Sequence, residues 1–170
     1  MNKYSIITGI AIAVIVIPFL FSALNIVAVD SLNYRWAGDG EFRYFELLDV
    51  NNKVEICNAS PFWVSFNKFT ITAFYEETDL GTYMITQTSL EPGSSEIKNG
   101  DFESPEFVVA QHMFLTFDAE FDGDQIRLDP NLFNVIVEVD TPILGFIPYS
   151  VSKQMNAFFL DEIMRQESCF

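Results

Sequence analysis

The side chains that could do chemistry are few, and they gather at three places. Asp118, Glu120, Asp122 and Asp129 stand at positions one, three, five and twelve of a twelve-residue stretch, with Gly123 at six and Asp124 after it. That spacing is the pattern of a calcium loop, in which hard oxygen donors converge on a tight turn. Against it, Gln125 fills the usually apolar position eight, Glu120 is long for position three, and the preceding helical stripe runs on to Phe121. The same letters fit an acidic helix-to-strand turn, and both readings stay open. Cys57 and Cys169 are the two cysteines. In an oxidising space they are expected to pair within the chain; the alternative is one buried thiol and one terminal thiol that links two chains. Asn58-Ala59-Ser60 is an acceptor sequon, but Pro61 and a tight turn follow it. His112 is the single histidine, which removes most catalytic triads and multi-histidine metal centres. Neither a Gly-rich phosphate loop after a strand nor a Cys-x-x-Cys motif occurs. No enzymatic activity and no resident cofactor are expected, calcium being the one ion considered.

Composition narrows the partners. The chain has 170 residues and a formal net charge of -15, with only 9 Lys and Arg. Nucleic acid needs a basic surface to meet its phosphates, so it is excluded as a partner. Adhesion to anionic lipid is disfavoured for the same reason. An aromatic content of 15% excludes low-complexity disorder.

These groups must be positioned by a membrane-tethered domain. Between Lys3 and Asp30 there is no charged side chain, and Ile6 to Ala28 is almost wholly apolar. About 20 such residues cross a bilayer as a helix, and Pro18 within the run is tolerated in lipid. A cleaved signal peptide is the rival reading. Its apolar region is shorter, however, and Ile26-Val27-Ala28 is a poor cleavage site. The chain therefore divides into a short cytoplasmic segment (1–5), a membrane anchor (6–29), a linker (30–40) and an extracytoplasmic domain (41–170). Lys3 before the run places the N-terminus in the cytoplasm of a single-pass cell-membrane protein. Tyr34 and Trp36 are expected at the outer headgroup level.

Beyond Asp30 the chain carries the whole net charge and alternates as strands do. Phe42 to Leu48 alternates; after a turn at Asn51-Asn52, Val54 and Ile56 lead a strand to Cys57-Asn58. Phe62 to Tyr75 reads as one long strand whose inward set changes phase near Asn67-Lys68, as an inserted bulge residue would cause. A turn is expected at Asp79-Leu80-Gly81 and another at Glu91-Pro92-Gly93-Ser94, with Pro second and Gly third. Ser104-Pro105-Glu106 reads as a helix start, followed by Phe107, Ala110, Phe114, Phe117 and Phe121 at helical spacing. Phe133 to Val139 alternates, and Tyr149 to Phe159 forms the last strand. About seven strands and one α-helix, preceded by one transmembrane helix, indicate an all-β sandwich.

The order of these signals resembles the LEA type 2 family, also described as the WHy domain. The matching residues are Val54 to Pro61, Phe66 to Tyr75, Leu80-Gly81, Ser89-Leu90-Glu91-Pro92-Gly93-Ser94-Ser95 and Ile143 to Ser150. Asn58 and Pro61 are separated by two residues where the family usually has them adjacent. The resemblance implies an immunoglobulin- or fibronectin III-like sandwich, linked to osmotic or desiccation stress, without catalytic residues. The functional expectation is a non-enzymatic surface domain that binds or protects. The alternative is an accessory or structural subunit of a membrane or envelope complex, with a protein partner. No small-molecule ligand is identified.

Overall fold

The computed structural model describes residues 3–38, 43–48, 52–121 and 128–169. Helix α1 (Lys3–Asp30) continues after one residue into β1 (Leu32–Trp36). Then follow β2 (Lys53–Asn58), β3 (Val64–Tyr75), β4 (Thr78–Leu90), β5 (Ser95–Asn99) and β6 (Asp101–Glu103). Helix α2 (Phe107–Phe121), β7 (Phe133–Asp140), β8 (Ser150–Asn156) and α3 (Ala157–Arg165) complete the chain. The strands form two antiparallel sheets, ordered β1-β2-β5 and β6-β4-β3-β7-β8. This is the β-sandwich with an N-terminal helix that the alternation calls for.

The core lies between the sheets. Tyr34 of β1 meets Phe69 of β3 edge to face at 5.3 Å, and Trp36 meets Tyr83 of β4 at 6.1 Å. Both rings bridge the layers, so Tyr34 (9% exposed) and Trp36 (4%) are core residues and not headgroup anchors. The stretch read as a linker thus supplies the first strand: Leu32, Tyr34 and Trp36 alternate with Asn33 and Arg35, a pattern too short to stand out beside the apolar helix. At the far end of the sandwich, α2 lays Ala110, Phe114 and Phe117 on the core, and the Phe117 and Phe133 rings pack at 4.5 Å. Helix spacing put these side chains on one face. Phe107, the first of the stripe, is exposed.

Several expected elements differ. Phe45–Leu48 is a 3-10 turn instead of a strand. The β3–β4 hairpin turns at Glu76-Glu77, with Glu76 at φ 53°, and not at Asp79-Leu80-Gly81. Gly81 is instead where the register shifts, between Ala73 and Phe74 of the partner strand. Its φ of +132° and the closeness of Phe102 and the Glu103 carbonyl leave no room for a Cβ. The phase change near Asn67-Lys68 is present without a bulge. Inward residues switch from Phe66 to Phe69 in β3 and from Ile85 to Thr88 in β4, at the same level and in constant register. The paired strands rotate together, so no inserted residue is required. The turn at Glu91–Ser94 forms as expected, the Ser94 N–H donating to the Glu91 carbonyl at 3.2 Å with Gly93 at φ +68°. Finally, the last strand stops at Asn156, and Ala157, Leu160 and Ile163 bury a helical stripe.

Candidate functional site

The junction between α1 and the sandwich is the most elaborated polar site in the described structure. Asn25 is a polar residue in the apolar run, and its side chain clamps β3 to the first residue after β7. Its Nδ2 donates to the Ser65 carbonyl (2.9 Å) and to Thr141 Oγ1 (2.6 Å), while its Oδ1 accepts from the Ser65 N–H (2.7 Å). The Thr141 hydroxyl closes the ring by donating to the Ser65 carbonyl at 3.1 Å. One turn earlier, Ser22 Oγ accepts the Leu144 N–H at 2.9 Å. One turn later, Ala28 and Val29 are buried in the core. Positions 22, 25 and 28–29 share one helix face because residues three and four apart are neighbours. At the helix end, Lys153 of β8 donates to the Asp30 carbonyl and pairs with its carboxylate at 3.5 Å. The apolar helix and the sandwich are therefore joined by packing and directed bonds.

A second polar centre joins the sheets beside this junction. Asn58, at the end of β2, is fully buried. Its Nδ2 faces the carbonyls of Phe62 (2.7 Å), Glu91 (3.0 Å) and Leu90 (3.4 Å), and its Oδ1 accepts from the Ser60 N–H (3.1 Å) and Oγ (2.7 Å). The backbone donor fixes the amide orientation, since an N–H needs an oxygen opposite it. The sequon asparagine is consumed by these bonds and presents no amide to a glycan donor in the folded chain.

Cys57 and Cys169 form a disulfide, with Cα atoms 6.1 Å apart and a sequence separation of 112. It staples the tail after α3 to the buried C-terminal end of β2, the central strand of its sheet. Beside it, Arg35 pairs with Glu55, and Ser95 Oγ donates to Glu55 Oε1 at 2.6 Å. The Ser95 hydroxyl and, after it, the Arg35 guanidinium hold the Glu55 carboxyl below its ordinary range, against the opposing effect of burial. Glu55, Cys57 and Cys169 are the one cluster of potential metal donors among the described residues, and its two sulfurs are already bonded to each other.

The acidic stretch is divided. Asp118 is buried in α2, and its two carboxylate oxygens accept the Tyr44 and Phe45 N–H groups at 2.8 Å each. Asp129 caps the 3-10 turn Pro130–Leu132, accepting from the Asn131 N–H at 2.9 Å. Glu120 lies in α2, while Asp122 and Asp124 fall outside the described residues. The calcium pattern thus has its first and last carboxylates engaged by protein donors. His112 is exposed on α2. Burial pushes the phenols of Tyr34, Tyr44 and Tyr83 well above the usual value of 10.0. Tyr83 Oη is the one buried side-chain polar atom without a hydrogen-bond partner among the described residues; the Gly100 backbone lies near it without hydrogen-bond geometry.

Sequence reading missed Ser22, Asn25 and the buried role of Asn58. The available signal was the placement of the helix's polar side chains: Ser22 and Asn25 are three apart and lead directly to Ala28. No family model matches this chain, and no curated protein matches it.

Proposed function

We propose that the chain is a single-pass membrane protein whose N-terminus faces the cytoplasm and whose sandwich stands in the extracytoplasmic space, where it binds or protects instead of catalysing. The observation that carries this reading is the Asn25 clamp: the helix that is long and apolar enough to cross a membrane is built into the sandwich. Cleavage after Ala28 would remove Asn25 and cut at a residue buried in the core, which favours a retained anchor. The disulfide fits an oxidising compartment. Asp118, Asp129 and Asn58, the groups most suggestive of a site, serve the backbone instead.

The resemblance to LEA type 2 domains suggests the setting, which is osmotic or drying stress at the cell surface. A domain with net charge -15 held against the membrane keeps that layer hydrated and non-adhesive. Measuring protein abundance and survival after osmotic upshift and drying, in cells with and without the chain, tests this. Induction with reduced survival of cells lacking the chain is expected. Unchanged abundance and unchanged survival would overturn it.

A second reading, an accessory subunit of a membrane complex, is favoured by the outward face of α2. There Phe107, Val108, Val109 and Leu115 are exposed. Co-purification at fixed stoichiometry from mild detergent is its expected outcome.

A further inference from the structure

The loop from β7 to β8 runs alongside the apolar helix. Thr141 lies level with Asn25 and Leu144 with Ser22, so the loop advances from the sandwich toward the middle of α1. At 1.5 Å per residue, Ser22 lies ~12 Å back from Asp30, and ~20 residues cover the ~30 Å of hydrocarbon. With Ile6 at the far boundary, the near boundary falls close to Asn25, and Ser22 lies ~5 Å inside it.

What the loop presents at that depth is apolar. Phe146 is 74% exposed, and Ile147 and Tyr149 are also exposed. Trp63, two residues before the clamped Ser65, is 60% exposed at the same end. In a chain this acidic, no charged side chain occurs from Asn58 to Asn67 or from Thr141 to Ser152. The loop backbone is also largely self-satisfied. The Ile143 and Ile147 N–H groups bond each other's carbonyls at 2.8 and 2.9 Å, and Phe146 N–H reaches the Ile143 carbonyl at 3.3 Å. Leu144 N–H is taken by Ser22, Thr141 N–H by the Tyr149 carbonyl, and Pro142 and Pro148 have none. Backbone donors that do not need water are the condition for entering lipid.

We propose that the Pro142–Tyr149 loop and Trp63 form an apolar foot that enters the bilayer leaflet nearest the sandwich, beside α1. Aromatic side chains of this kind favour the boundary between headgroups and acyl chains. Two contacts, helix and foot, fix the tilt of the sandwich on the membrane. Glu91, exposed on the turn beside Asn58, limits how deep that end can sink.

This inference rests on α1 being a spanning anchor, and the test separates the two. The full chain is reconstituted into phosphatidylcholine vesicles carrying bromine either near the glycerol backbone or near the acyl terminus. Trp63 and Trp36 are the two tryptophans. Trp36 is a buried internal reference, four β1 residues (~13 Å) beyond Leu32. Shallow bromines are expected to quench the Trp63 emission, assigned with Trp63→Phe, and to spare Trp36. Phe146→Ser with Ile147→Ser should shift Trp63 emission to the red and weaken that quenching, with the unfolding midpoint unchanged. Water-like, unquenched Trp63 in protein that resists alkaline carbonate extraction would overturn the foot and leave the anchor standing. Release by carbonate would overturn the anchor, and the foot with it.

Discussion

Asn58 offers the sharpest test of how the two sheets are tied together. Replacing it with Ala removes two N–H donors facing three carbonyls and the acceptor of both the Ser60 N–H and the Ser60 hydroxyl. Four lost bonds at ~1 kcal/mol each give ~4 kcal/mol. Asn58→Asp is nearly the same size and keeps both bonds accepted from Ser60, yet it turns a carboxylate oxygen toward the Phe62, Leu90 and Glu91 carbonyls. An uncompensated buried charge costs ~3–5 kcal/mol, a large share of the ~5–15 kcal/mol that holds a domain. The sign of the pH effect follows. The native state resists ionising the introduced carboxyl, so its pKa rises above the ordinary ~3.9. The native state then holds the proton more tightly than the unfolded chain. Stability is present at acid pH and is lost as the pH climbs past ~4 toward the raised folded value. Urea unfolding of the full chain in detergent, followed by near-ultraviolet circular dichroism at pH 4 and pH 7, reads this out. Relative to the parent, Asn58→Asp should lose much more at pH 7 than at pH 4, and Asn58→Ala should lose the same at both. Equal losses for Asn58→Asp at the two pH values would refute the burial and orientation assigned to the amide.

Three further outcomes are expected. Replacing Cys57 and Cys169 with Ala frees a loop of 112 residues, which the chain-entropy relation puts at ~4.8 kcal/mol, read as a lower urea midpoint. Tyr83→Phe deletes a buried hydroxyl that has no hydrogen-bond partner among the described residues, so thermal unfolding should move upward, by an amount corresponding to ~1 kcal/mol or more. The raised phenols of Tyr34, Tyr44 and Tyr83 give stability that is whole below the unfolded value of 10.0. It is lost as pH climbs beyond 10.0, because the unfolded chain then releases protons that the native state retains; alkaline unfolding with simultaneous tyrosinate absorbance checks it.

The elements that could be read one residue at a time were legible. The uncharged run of α1 and the alternation of Phe133–Asp140 are periodic signals that need no partner to be seen. The Pro92-Gly93 turn is equally local, because Gly93 supplies the positive φ the turn requires. Short apolar segments were ambiguous. Ala157 and Phe159 extend an alternating pattern as well as they begin a helix, and the packing of α3 against β1, β7 and β8 decides the matter.

The sequence by itself therefore determined the composition of the layers, the length of the apolar helix and the two cysteines available to pair. Tertiary structure decided what the polar groups do. Asp118 meets the backbone of Tyr44 and Phe45 some seventy residues away in sequence, and Asn25 meets Thr141 across 116. A hydrogen bond acts over ~3 Å of space, while composition and periodicity report only on neighbours along the chain. Whether a carboxylate binds an ion or caps a loop, and whether a sequon asparagine faces solvent or joins two sheets, is settled only when the folded chain brings its partner within that distance.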